Sequence, residues 1–171
     1  FGTPVESQFV SGRGEAYGLE LFLNKRIGDF TGWLGYTLSW TKRYFDGLDN
    51  GHPFYARYDS RHDLSATFTY DLTDDVEFGA AWIYQTGFAY TMPIGQYALD
   101  QSLGNYWDRT NRLYSDRNGY RLPSYHRLDV NIGWKTHVFG LKSTVSLSIY
   151  NLYNRKNPFA QYVENNYDYN T

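Results

Sequence analysis

Cysteine is absent from the 171 residues, which removes a disulfide scaffold and thiolate chemistry from consideration. An excess of positive charge is absent as well. Sixteen Lys and Arg stand against 18 Asp and Glu, a net charge of −2, so no basic stripe exists to neutralise phosphates and a nucleic-acid partner is not expected. Nor does any stretch approach the ~18 consecutive apolar residues that a membrane helix needs. What the chain has in abundance is rings: 18 Tyr, 11 Phe and 5 Trp, 20% of all residues, at a mean hydropathy of −0.61. An average soluble domain does not combine so many rings with so polar a mean.

A period of two runs through most of the chain. Leu34, Tyr36, Leu38 and Trp40 alternate with Trp33, Gly35, Thr37, Ser39 and Thr41. Tyr17, Leu19, Leu21 and Leu23 alternate with Gly18, Glu20, Phe22 and Asn24, where Phe22 is the exception. Six such stretches predict strands at roughly 15–27, 30–45, 58–72, 76–87, 122–136 and 140–153. Short turns with Gly or Asp alternate with long loops at 46–57, 88–121 and 154–171. Tight turns at one end of an antiparallel sheet and long loops at the other follow from that order.

The polar side of these strands carries Glu20, Arg61, Asp63, Asp71, Glu77, Arg127, Asp129 and Lys135 among Ser, Thr, Asn and Gly, while the other side is almost free of charge. Rings gather near strand ends on the apolar side: Trp40 and Tyr44 at the loop end; Phe30, Phe68, Tyr70, Phe78, Trp134 and Phe139 at the turn end. Two aromatic girdles bounding an aliphatic band are what a membrane β-barrel presents to lipid, because amphipathic rings prefer the headgroup layer. A two-layer β-sandwich with the rings in its core is the competing arrangement. Six strands are fewer than the roughly eight with which outer-membrane barrels begin. The expected fold is therefore all-β, an antiparallel transmembrane barrel of which this chain forms an arc.

GRGEAYGLELFLNKRIGDFTGWLGYTLSWTKR, FYARYDSRHDLSATFTYDL, WIYQTGFAYTMP, YRLPSYHRLDVNIGW and SIYNLYNRKNPF, in that order, resemble the C-terminal barrel of TonB-dependent outer-membrane receptors of the Bacteroidetes type. The resemblance implies a 22-stranded barrel, of which these would be strands sixteen to twenty-one. It also implies an N-terminal plug domain with a TonB box, and a last strand ending in an aromatic residue; neither has a counterpart in these residues. The implied function is active import of a siderophore, oligosaccharide, peptide or cobalamin-like ligand. The implied surroundings are outer-membrane lipid and lipopolysaccharide, with TonB and its inner-membrane motor acting through the plug and a surface lipoprotein as a further partner. No enzymatic activity and no cofactor is implied. A passive porin or a structural barrel within a surface complex is the alternative.

Two strands open with Arg-x-Asp, at Arg61 and Asp63 and again at Arg127 and Asp129. One strand lies between them, so they are expected ~10 Å apart on the polar wall, forming a charge ladder that holds wall, loops and plug together, with direct ligand contact as the alternative. The long 88–121 loop gathers Tyr97, Tyr106, Trp107, Arg109 and Arg112, a mixture of rings and cations suited to a sugar, peptide or chelate and equally to packing of a large surface loop on itself. DGLDNGH at 46–52 lacks the acceptor spacing of a calcium loop and is expected to be a turn. Ser60, His62 and Asp63, like Ser124, His126 and Asp129, crowd one strand with alternating directions and cannot assemble a nucleophile, base and orienter. No metal site is expected.

Overall fold

The computed structural model describes residues 9–98 and 110–158. In chain order the strands are β1 (Arg13–Lys25), β2 (Phe30–Tyr44), β3 (Phe54–Tyr55), β4 (His62–Asp71), β5 (Val76–Gln85), β6 (Ala89–Tyr90), β7 (Pro93–Ala98), β8 (Thr110–Tyr114), β9 (Tyr120–Arg121), β10 (Tyr125–Val138) and β11 (Leu141–Ile149), with one 3-10 turn at Asp49–Gly51. The long strands pair antiparallel in the order β1-β2-β4-β5-β10-β11, and β3 adds to β2. This is one layer, not a sandwich. The sheet does not close, and β1 and β11 are its edges among the described residues.

Within the segment 88–121, expected to be a loop, most of the described residues are strand. β6 pairs β9 and β7 pairs β8, so the β5–β10 hairpin continues as a narrow ribbon beyond the sheet. Its strands are two to six residues long, too short to display a period. Gly87 sits at the ribbon's base, where an added Cβ would lie 1.8 Å from the Leu122 carbonyl oxygen. Only glycine admits that approach. The 46–57 stretch likewise holds the 3-10 turn and β3.

Register places the apolar positions of all six long strands on one face. Leu23, Leu34, Ala66, Trp82 and Leu128 form one directly opposed row; Phe30, Tyr70, Phe78, Ile132 and Leu147 form another. The large side chains of this face remain uncovered, among them Leu19, Leu21, Leu23, Val145, Leu147 and Ile149. The buried apolar residues among those described are three alanines, Ala56, Ala80 and Ala89. A continuous apolar face of six strands far exceeds the few hundred Å² that a soluble monomer leaves exposed, and water is not its solvent.

The turns reveal the slope of the strands. Below the row that begins at Phe30, the chain runs two residues to Gly28 at the first turn, but seven from Ile132 to Phe139 at the last, four strands away. For these turns to share one level, strands must drop ~16 Å over ~19 Å of sheet width, a lean of ~40°. Barrel strands lean by about 35–45°. On that slope Tyr17, Trp40, His62, Tyr84 and His126 fall at one level of the apolar face. Tyr17 stacks on Trp40 at 5.4 Å and Tyr84 on His126 at 6.3 Å, while the Tyr36 hydroxyl meets His62 Nδ1 at 2.8 Å. From Trp40 to Phe30 the ten-residue span projects to ~25 Å along the barrel axis, the height of the apolar band in outer-membrane barrels.

The β10–β11 turn departs from turn chemistry. Its two central residues, Phe139 and Gly140, have φ of 52° and 79°, as a type I′ hairpin requires. Asn or Asp normally fills the first of these positions, and a bulky side chain there is an outlier. Phe139 is also 100% exposed. Phe139→Asn is expected to relieve about 0.5–1 kcal/mol of turn strain, read as a higher unfolding midpoint in detergent, with a smaller gain in lipid vesicles because the ring leaves the headgroup layer.

Candidate functional site at the long-loop rim

At the rim opposite the short turns, the chain between β3 and β4 brings Asp59 under the base of the ribbon. Its side chain is 0% exposed. One carboxylate oxygen accepts the Thr41 backbone N–H at 2.6 Å; the other is bonded by the Arg121 guanidinium and lies 3.6 Å from that of Arg61. Arg121 also donates to the Asp59 backbone carbonyl at 2.8 Å. The Arg61 guanidinium lies over Trp40 at 4.8 Å and Tyr55 at 5.2 Å, and that of Arg121 over Tyr55 at 5.3 Å. One buried carboxylate thus joins β2, β3, the entry to β4 and β9. Two guanidiniums share it, each with a ring face to replace lost hydration.

Further contacts hold the ribbon along the same line. Asn118 donates to the Tyr55 carbonyl at 2.7 Å, and its backbone N–H is accepted by the Thr91 hydroxyl at 3.0 Å. Arg117 lies 3.6 Å from Asp49 and 5.3 Å over Phe54. Asp49 belongs to the turn expected over 46–52, where it and Asn50 take φ of 51° and 53°.

The two Arg-x-Asp stretches are staggered. Asp63 stands level with Gln85 and Tyr125, whereas Asp129 stands level with Ala81 and Thr67. Four residues of stagger add ~13 Å along the strands, so the aspartates lie ~16 Å apart rather than ~10 Å. Each makes its own contacts. Asp63 accepts from the Gln85 amide at 3.2 Å, and Arg61 turns to Asp59. Arg127 holds Asp129 through Nε at 3.0 Å to both oxygens and through Nη2 at 2.9 Å, with the Tyr150 ring 3.9 Å beneath its guanidinium and the Tyr150 hydroxyl as a further acceptor. Asp129 also accepts the Asn151 N–H at 2.9 Å. Its carboxylate pins the end of β11.

In the ribbon, Tyr97 pairs with Asn111 and Arg112 with Gln96. Adjacent positions on a strand point to opposite faces, so Tyr97 and Arg112 face away from each other, both exposed. Tyr106, Trp107 and Arg109 lie outside the described residues.

Reasoning from the sequence missed Asp59, Arg121, Asn151 and Asn157. The Asn157 side-chain amide accepts the His126 N–H at 3.0 Å and donates to the His126 carbonyl at 3.0 Å. Asn151 does the same for Arg155, at 3.1 Å in both directions. Each amide imitates one residue of a partner strand. Asn spaced at 151, 154 and 157 in NLYNRKN was the available signal. Arg155, donating to the Ser124 carbonyl at 2.9 Å, is a loop-pairing charge.

Everything at this rim is built for holding: a buried carboxylate with two cations, amide clasps and stacked guanidiniums tie loops to a sloped sheet whose outer face needs lipid. No curated protein and no solved structure matches the chain. The family described as "TonB dependent receptor-like, beta-barrel" matches residues 2–152. Such domains are outer-membrane barrels of Gram-negative bacteria that serve TonB-dependent transport. The chain belongs to the TonB-dependent receptor β-barrel family.

Proposed function

We propose that this chain is wall and ligand-facing ribbon of a receptor that imports a scarce solute, with the long-loop end extracellular and the polar face turned to the lumen. In this reading it is a C-terminal segment of the Bacteroidetes type, strands sixteen to twenty-one of 22, and β1 and β11 pair with further strands because no backbone edge is tolerated in hydrocarbon. The ligand is a siderophore, oligosaccharide, peptide or cobalamin-like molecule. A surface lipoprotein is a fitting partner for the ribbon. The observation that carries the reading is the ribbon itself: a hairpin anchored at its base by a buried ionic knot, with exposed Tyr97, Ile94, Arg112, Leu113 and Tyr114 along it. Rings and cations on a rigid base suit adhesion to a sugar or chelate at low entropic cost.

Shortening the ribbon from Thr91 to Ser115 in the full receptor tests this directly. Uptake and ligand binding are expected to fall at least tenfold while the barrel keeps its heat-modifiable migration on gels; unchanged binding would remove the ribbon from ligand recognition.

The Arg-x-Asp aspartates serve the wall. Replacing Asp129 by Ala leaves the Nε and Nη2 of Arg127 and the Asn151 N–H without their carboxylate, at an expected cost of about 1.5–3 kcal/mol in unfolding, with ligand Kd changed by less than about twofold. Asp63→Ala removes one hydrogen bond and is expected to cost about 1 kcal/mol. Intact unfolding with lost uptake in either variant would reassign that residue to the ligand.

A further inference from the structure

The apolar face of the sheet has a hollow near the short turns. Leu23, Leu34, Phe30 and Phe68 stand around Gly32 and Ala66 and bound an open groove of about 380 Å³. Gly32 is level with Lys25 of β1 and Phe68 of β4, and Ala66 is level with Leu34, two residues further from the turn. The groove is built into the backbone. Gly32 has φ of 152°, and an added Cβ there would lie 2.3 Å from the Thr67 carbonyl oxygen, so only glycine fits. The floor stays bare, while the Phe30 and Phe68 rings, 5.7 Å apart, wall it on the turn side.

Lys25 marks the lower end of this groove. It shares the face of Leu19, Leu21 and Leu23, and among the described residues it is the formal charge which that face carries between the Trp40 and Phe30 levels. Its Nζ donates to the Ile27 carbonyl at 2.9 Å and the Phe30 carbonyl at 2.5 Å, and lies 5.5 Å from the centre of the Phe30 ring. The ammonium is thus drawn down to the turn, with one of its three N–H groups left over. Arg26, the next residue, is exposed. Asp29 shares the turn, yet among the described residues neither cation forms an ion pair with a carboxylate.

We propose that this groove holds one anionic phospholipid, its phosphate on Lys25 and Arg26 and an acyl chain along Gly32 and Ala66. The inference rests on the transport reading above, whose orientation puts the short turns in the phospholipid leaflet. Water does not fill an apolar groove that offers it no hydrogen bonds, whereas an acyl chain is the flexible apolar body that the leaflet supplies. A phosphate gives the spare ammonium N–H an acceptor and a counter-charge together, and paired basic residues at a membrane surface favour anionic headgroups. The levels agree with this occupant. Lys25 stands near the Phe30 border, where the headgroup layer begins, and Ala66 lies ~7 Å further along the strands, inside the aliphatic band.

The test uses the full-length receptor in detergent, titrated with phosphatidylglycerol or phosphatidylethanolamine and read by native mass spectrometry. One phosphatidylglycerol is expected to bind about fivefold more tightly than phosphatidylethanolamine, and Lys25→Gln/Arg26→Gln to weaken it about tenfold. Ala66→Phe fills the groove without adding charge and is expected to weaken it about tenfold as well. Lys42→Gln removes a cation from the same face beyond Trp40 and is expected to leave binding unchanged. Heat-modifiable migration on gels reports that each variant is folded; if one is not, the other reads the same groove. Wild-type affinity in either folded variant would overturn the site, as would equal affinity for the two lipids, and both results leave the transport reading standing. Labelling of Asp74→Cys by an impermeant maleimide on intact cells would instead overturn the orientation in that reading, whatever the binding shows.

Discussion

Replacing Asp59 by Ala is expected to loosen the rim more than any other single change there. The carboxylate is fully buried and bonded to the Thr41 N–H and Arg121, with Arg61 at 3.6 Å. Without it two guanidiniums, each only a quarter exposed or less than a third, face one another beneath the ribbon with no counter-charge. Breaking a buried pair by removing one partner costs about 3–5 kcal/mol. Partial exposure of both arginines lets water screen them, which places the expectation near about 3 kcal/mol. The loss is local, because the β-ladder from Phe30 to Leu38 against Tyr70 to His62 does not depend on Asp59. Limited proteolysis should therefore nick 88–121 in Asp59→Ala at protease levels that leave the parent intact, while the barrel band still shifts on heating. Asp59→Asn keeps the Thr41 bond and is expected to fall between the two. A ribbon as resistant as the parent's in Asp59→Ala would remove the knot from its holding role.

The second large effect concerns the apolar face. Ala66 lies in the row Leu23–Leu34–Ala66–Trp82–Leu128, between the level of Trp40 and that of Phe30. Its small side chain leaves room for a larger one, so sterics do not dominate the outcome of Ala66→Arg. Lipid does. An arginine at the midplane of an outer-membrane barrel costs about 2–4 kcal/mol, falling toward zero at the interfaces. Thr67, the next residue, points to the opposite face, and Thr67→Arg is expected to cost about 1 kcal/mol or less because a lumen-side guanidinium stays hydrated. Folding of the full barrel into lipid vesicles, titrated with denaturant, measures both. Equal costs at 66 and 67 would mean that the face assignment is wrong, and a larger cost at 67 would invert it.

Much of this was legible in the chain because a membrane barrel writes its fold in alternation. Each of Leu19, Leu34, Ala66, Phe78 and Val130 falls on one face for no reason beyond a period of two, and the lean of the strands follows once the register is known. The exceptions were legible as well: Phe22 is out of phase in β1, and Trp33 is a ring among Thr and Gly. Legibility ended where side chains act across long separations. Nothing near Asp59 announces Arg121, 62 residues away, and nothing near His126 announces that Asn157 will stand in for a strand. Such partners are set by the path of the chain at the rim, which brings Arg121 of β9 to Asp59 and Asn157, beyond β11, to His126.

The sequence by itself therefore determined the class of fold and the two faces, since both depend on local period and composition, while five stretches in order carried the resemblance to the family that the match over residues 2–152 shows. Only the tertiary structure decided the contacts at the rim: that Arg61 leaves Asp63 for Asp59, that the Arg-x-Asp pairs stand ~16 Å apart, and that the expected loop is a ribbon. The physical reason is stagger. A lean of ~40° shifts each strand by about one residue against its neighbour, so residues at equal distance from their turns are not neighbours, and which charges meet is set by the register of the whole sheet.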